Sequence, residues 1–181
     1  FLQILHNMRP IDAGYLSALM SAGWTTGSVI SSGARPSLTR VVMLAGPLTI
    51  AAAIGVLFLL MPHGYESLAA LSAIGCAMAA MGLGIGMAWP HVAASIFTYA
   101  PEREHELAAA SITVVTMVTN AFGSAMGGML TNLAGLTVPG GAAGAASAAA
   151  WLFGCYILAP LAAAWMIRRL LTHRGTALVA D

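Results

Sequence analysis

The sequence predicts an all-α, polytopic transmembrane helix bundle, and three observations carry that expectation. Of the 181 residues, 59% are hydrophobic and only 7% are charged, with a mean hydropathy of +0.86. A soluble domain carries roughly 25% charged residues, so this chain lacks the polar groups to cover a water-facing surface. Long charge-free apolar stretches are separated by short polar turns, and about 20 apolar residues suffice to cross a hydrocarbon core. The third observation is Gly82-Leu-Gly-Ile-Gly-Met-Ala-Trp-Pro-His91, where three glycines and a proline interrupt an apolar run. In water each interior Gly costs a helix about 1 kcal/mol and an interior Pro about 3 kcal/mol. In a bilayer both are tolerated, and small residues let helices approach closely.

In order, residues 1–8 read as the last turns of a helix. They lack the charged and apolar regions of a signal peptide, so the chain is expected to be a piece of a longer protein. Asn7 to Asp12 is a polar turn. Five spans follow, at 13–33, 41–61, 67–99, 107–136 and 142–167. The loops between them are 34–40, which is basic, 62–66, the highly polar 101–106, and 137–141. The Ala/Gly-rich run 140–150 is read as the start of the fifth span rather than a linker, because Ala is a strong helix former. Residues 1–174 therefore make one bundle of five full spans plus a truncated stub, and 175–181 a tail.

Alternating spans allow the loops to be tested for orientation. One set holds Arg35, Arg40, Arg103, Arg168, Arg169 and Arg174, and the other holds only Arg9. Cytoplasmic loops are enriched in Arg and Lys, which places the C-terminus in the cytoplasm. The aromatics near span ends agree, with Tyr15 and Tyr65 outside and Tyr99 and Trp165 inside. The acids of 101–106 contribute little to topology, and Glu104 and Glu106 suit a helix N-terminus.

Polarity divides the spans. Span 41–61 holds Thr49 as its one hydroxyl, and span 142–167 holds Ser147 and Tyr156. Both read as lipid-facing. Span 13–33 carries Ser17, Ser21, Trp24, Thr25, Ser28, Ser31 and Ser32 at helical spacing, beside a close-packing face at Gly23 and Gly27. Span 107–136 repeats the pattern with Thr113, Thr116, Asn120, Ser124, Gly127 and Thr131 on one face, beside Gly123 and Gly128; Gly123 and Gly127 read as helix-packing positions. Gly82 and Gly86 stand four apart, a small-xxx-small face. Each stripe has two readings: packing with hydrogen-bond glue, or the wall of a polar pathway. Asn120 is the strongest single pathway candidate, since a carboxamide in a bilayer needs partners and offers both donors and acceptors. His91 is the one ionisable group inside a span. It reads either as an interfacial histidine bonded to backbone or water, or as a proton relay.

Several functions are excluded. There is no Lys and hence no Walker A motif, and Gly82-x-Gly84-x-Gly86 is not a dinucleotide fingerprint. The five His and two Cys show no metal spacing. Cys76 and Cys155 read as small hydrophobes. No buried Asp pair and no Gly-x-Ser-x-Gly setting supports a membrane protease. A net charge of +1 without a basic cluster gives no nucleic-acid footprint. The chain is therefore read as a non-enzyme without cofactor or metal.

The order of features resembles one family. Leu2-Gln3 ends a helix, followed by Arg9-Pro-Ile-Asp-Ala-Gly-Tyr15 and Ser21-Ala-Gly-Trp-Thr-Thr-Gly-Ser28. Then come Met81-Gly-Leu-Gly-Ile-Gly-Met-Ala-Trp-Pro90, Ala110-Ser-Ile-Thr, and Asn120-Ala-Phe-Gly-Ser-Ala-Met-Gly-Gly128. Together they resemble the C-terminal half of a major facilitator superfamily transporter of the bacterial drug-efflux type. The resemblance implies the seventh to twelfth helices of a twelve-helix core, or their equivalents in a fourteen-helix member, in a bacterial inner membrane. The ninth and twelfth would lie outside, and the seventh, eighth, tenth and eleventh would line the cavity. It implies a secondary active antiporter exporting small molecules by alternating access, with an N-terminal half as partner and a proton-coupling carboxylate there. Gln3, Ser17, Ser21, Trp24, Thr25, Ser28, Thr116, Asn120 and Ser124 would line this half of the path, and Pro90 and His91 would form a bend and gate or relay. The family's cytoplasmic Gly-x-x-x-Asp-Arg-x-Gly-Arg-Arg loop would fall at 33–40, where Ser37 stands at the Asp position. The alternative is a non-transporting membrane scaffold or subunit.

Overall fold

Proline opens the first two long helices. Pro10 and Pro36 follow extended Arg9 and Arg35 at the start of their helices, where the missing N–H has no partner to lose and φ is preset. The structure, a computed structural model, describes residues 1–64 and 67–177, with side chains at all of these except 36, 37 and 170–177. Its helices are α1 (Leu2–Leu5), α2 (Pro10–Ser32), α3 (Pro36–Leu60), α4 (Leu68–Tyr99), α5 (His105–Leu133), α6 (Gly141–Tyr156) and α7 (Leu158–Ala177). Short 3₁₀ turns at Met61–His63 and Glu102–Glu104 follow α3 and precede α5. No strand occurs among the described residues. At the head of α2 the exposed Arg9 guanidinium donates to Asp12 at 2.7 Å, and this bond holds the Asp12 carboxyl below its ordinary range. Tyr65, the Ser37 and Arg174 side chains and the tail from 178 lie outside what is described; α7 itself continues through 175–177.

Four helical segments are long and apolar enough to cross a membrane: Leu38–His63, Leu68–Tyr99, Glu102–Leu133 and Gly141–Arg169. The first expected span, 13–33, is the exception. α2 has the length, at 23 residues, but its serines and threonines hold its apolar content below that of the other four segments. The expected single span at 142–167 is two helices. Pro160 has no N–H to offer the Tyr156 carbonyl one turn earlier; α6 stops at Tyr156 and α7 resumes at Leu158.

α4 is the centre of the bundle, and its glycines explain why. A Cβ placed on Gly82 or Gly86 would fall onto the backbone carbonyls of Met20 and Trp24 in α2. Reciprocally, a Cβ on Gly23 or Gly27 would fall onto the carbonyls of Ala79 and Leu83. These pairs rise together in number, so α2 and α4 run parallel with backbone against backbone. Gly84 points the other way: its Cβ would lie 2.6 Å from the Gly46 carbonyl of α3, and a Cβ on Gly46 would lie 2.6 Å from the Gly84 carbonyl. The alternation of Gly82, Gly84 and Gly86 thus serves two neighbours from one short stretch.

Away from this seam the interior is apolar. Ala53, Leu57 and Met61 of the α3 end pack with Ile74 and Ala77 of α4 and Ala149 of α6, flanked by Phe1, Leu5, Leu16 and Phe153. His6 is buried there, its Nε2 3.2 Å from the Met61 carbonyl. Span 41–61 was expected to face lipid because it lacks hydroxyls. α3 packs against α4 and the α6–α7 pair through Ala51, Ala53, Ile54 and Leu57, while Val41, Leu48, Phe58 and Leu59 are exposed. Apolar packing needs no hydroxyls, so their scarcity does not distinguish the two faces. α5 is the least packed long helix, with Thr131 its one buried residue.

Proline inside α4 leaves a second trace. Pro90 cannot donate to the Gly86 carbonyl. Ser31 of α2, only 2% exposed, donates to that carbonyl at 3.4 Å and to its own Ser28 carbonyl at 3.3 Å. A neighbouring hydroxyl re-satisfying a freed carbonyl is what an apolar medium demands. Ser31→Ala is expected to destabilise by about 1 kcal/mol. In the Pro90→Ala background, where the helix supplies its own N–H, the loss should fall towards zero. Thermal unfolding of the four proteins of this cycle in detergent measures it; an equal loss in both backgrounds would mean the hydroxyl serves only Ser28.

Candidate functional site

The loose contact between α4 and α5 leaves a cavity of about 390 Å³. Trp89, Val92 and Ile96 line it from α4, three and four residues apart and hence on one face. Ala108, Ser111, Ile112, Val115, Thr116, Thr119 and Asn120 line it from α5. No charged side chain lines it. The Ser111, Thr116 and Thr119 hydroxyls donate to carbonyls one turn back, at 2.8, 2.7 and 2.7 Å, so their hydrogens are already committed. Asn120 differs: its carboxamide makes no hydrogen bond to any described residue. The Asn120 side chain is exposed, so its donors and acceptor stand open to a ligand group that both gives and takes a hydrogen bond.

A second cavity, about 480 Å³, sits at the opposite end of the bundle, lined by Gln3 and Ser17 with Phe1, Leu2, Ile4, Ala13, Met61, Met78 and Phe153. The Ser17 hydroxyl donates to the Ala13 carbonyl at 2.9 Å, leaving Gln3 as the free polar group. The nine residues expected to line one path fall in different places within this chain. Thr116 and Asn120 meet at the first cavity, and Gln3 and Ser17 at the second. Ser21, Trp24, Thr25 and Ser124 are exposed and line neither. Ser28 is half-buried, its backbone N–H close beside Gly86. The reason is geometric: the same face of α2 that carries Ser28 and Ser31 also carries Gly27, and the glycine seam draws that end of the stripe against α4.

His91 lines neither cavity. Its Nε2 is buried with no hydrogen-bond partner among the described residues, while its carbonyl accepts from Ser95 at 2.8 Å. The packing glycines of α5 also divide. A Cβ on Gly127 would meet the Tyr156 hydroxyl at 3.1 Å and Leu152 at 3.6 Å, but nothing lies within 4 Å of a Cβ on Gly123. Gly123 is therefore corrected from a close-packing position to an open one. Its role in the contact is its carbonyl, which accepts from the Tyr156 hydroxyl. Sequence reasoning missed Trp89, Val92, Ile96, Ser111 and Thr119. Their helical spacing was visible, but which face of α4 meets which face of α5 was not.

The chain is similar to proteins named "Probable multidrug-efflux transporter" in two strains of Mycobacterium tuberculosis, CDC 1551 / Oshkosh and H37Rv. It is 34% identical to each over 140 residues, which cover 74% of this chain and 29% of the relative. The chain thus spans under a third of the length of the curated relatives it matches. No protein-family model matches it, and no solved structure matches it.

Proposed function

We propose that this chain is one helical wall of a secondary transporter of the major facilitator type, which exports small molecules by alternating access. The single observation that carries this reading is Asn120: an unpartnered carboxamide near the middle of an apolar helix, opening into an uncharged cavity. Such an exposed group is open to a ligand. The similarity to efflux proteins supports the direction of transport, and the arginine asymmetry supports a cytoplasmic C-terminus. In this reading α2 is the fifth span, shielded along its polar face by α4 and by segments outside this chain. Those segments supply the other wall and the acid that couples export to protons.

A second reading, a non-transporting scaffold, is favoured by one observation. The hydroxyls of Ser17, Thr25, Thr113, Thr116, Thr119 and Thr131 all donate to their own helices, as pure packing would allow. Cysteine labelling separates the two. In a Cys76→Ala, Cys155→Ala background of the full-length protein, Ser21→Cys and Asn120→Cys are expected to react with a water-soluble thiol reagent, and transported drug should slow the reaction at Asn120→Cys. Ser31→Cys, against the Gly86 carbonyl, should stay protected. Complete protection of Asn120→Cys in every transport state would leave the scaffold reading.

A further inference from the structure

We propose that the α4–α5 cavity takes an uncharged, flat and mostly apolar molecule, its ring system against Trp89 and an amide group on the Asn120 carboxamide. This rests on the transport reading and adds the class of ligand. The volume of about 390 Å³ lies in the range of small-molecule sites. The α5 lining from Ala108 to Asn120 climbs about 18 Å at 1.5 Å per residue. The lining is not uniform along that climb. Ile96, Ala108 and Ile112 lie towards the α4–α5 turn, while Trp89, Thr116 and Asn120 lie towards the bundle middle.

The polar groups then select the ligand's functional group. Thr116 and Thr119 have spent their hydrogens on the helix. Asn120 keeps both its N–H donors and its carbonyl acceptor, so the complementary group is one that gives and takes at once, as an amide does. Charge is selected against. The acid and base nearest in sequence to the α5 lining, Glu106 and Arg103, are both exposed and lie outside it. The cavity is open on one side, with Ser111, Val115, Thr119 and Asn120 exposed, and an ion seated on its apolar lining would give up part of its hydration shell with no counter-charge there. The face of one tryptophan returns less to a cation than that desolvation removes.

Energy transfer from tryptophan to pyrene tests this in the full-length protein. Trp24, Trp151 and Trp165, and any tryptophans outside this chain, are replaced by Phe, leaving Trp89. Four probes are titrated: pyrene-1-acetamide, 1-ethylpyrene, pyrene-1-acetate and a pyrenylmethyl trimethylammonium salt. The acetamide is expected to give saturable transfer at least about tenfold tighter than the other three. Asn120→Leu should bring the acetamide to the level of ethylpyrene and leave ethylpyrene unchanged, which also shows that the cavity still folds. A charged probe binding as tightly as the acetamide, or an acetamide affinity unmoved by Asn120→Leu, overturns the inference. Drug accumulation in cells separates the two levels: export undiminished by Asn120→Leu overturns the site but keeps the transporter. Binding as expected, with no export by the unaltered protein, overturns the transporter and keeps the site.

Discussion

Gly82→Leu is expected to prevent α2 and α4 from docking and to remove the folded bundle. Gly82→Ala should already cost about 3 kcal/mol, the upper end of ordinary overpacking. A methyl there falls onto the Met20 carbonyl, with the Met20 carbonyl carbon at 2.8 Å and the Trp24 nitrogen at 2.9 Å. These neighbours are backbone, so no rotamer change can clear them. Total stabilities run to only about 5–15 kcal/mol, and leucine adds bulk to a position that cannot accept a methyl. The matched control is Gly123→Ala. It too sits inside a long helix, but a Cβ there meets nothing within 4 Å, and it should stabilise by up to about 1 kcal/mol through helix propensity. Thermal unfolding followed by size-exclusion in detergent reads all three. A Gly82→Ala protein that melts with the unaltered one would mean that these backbones are not in contact.

Asn120→Leu is expected to lower export of an amide-bearing compound by about tenfold or more while leaving thermal stability unchanged or raised. The direction of the stability change is informative. If Asn120 were glue between helices, its loss would destabilise by about 0.6–2 kcal/mol. Here the carboxamide is exposed and has no partner to lose among the described residues, so leucine breaks no contact. Transport falling while melting temperature holds or rises separates ligand binding from packing in one protein. Both falling together would return Asn120 to the packing role.

The helical class was legible because it depends on composition and on where charges are missing. The Gly82/Gly86 and Gly23/Gly27 faces were legible because spacing alone puts them on one side of a helix. Their pairing with each other was not, since nothing in a single sequence says which small faces meet. The span 142–167 was legible and falls within Gly141–Arg169, but the break of its helix between Tyr156 and Leu158, ahead of Pro160, was not. The packing face of 41–61, Ala51, Ala53, Ile54 and Leu57, was not legible, because hydroxyls report where a helix needs hydrogen bonds, not where it is buried. The α4–α5 cavity was illegible, because a cavity is a failure of two faces to fill one another, and that is a property of the pair. Gly123 shows the limit from the other side: it has the spacing of a packing residue, but it meets its neighbour through its carbonyl, on the Tyr156 hydroxyl, with open space where a Cβ would stand.

The glycine seams of α4 also have a mechanical consequence. Where side chains separate two helices, rotamer changes let one slide or tilt against the other. Between α2 and α4, and between α4 and α3 at Gly46 and Gly84, peptide groups touch peptide groups, and there is nothing to rotate out of the way. At these contacts the three helices can move past one another only by moving backbone, so they are expected to shift together. The compliant joint of the bundle lies beyond them, at α5.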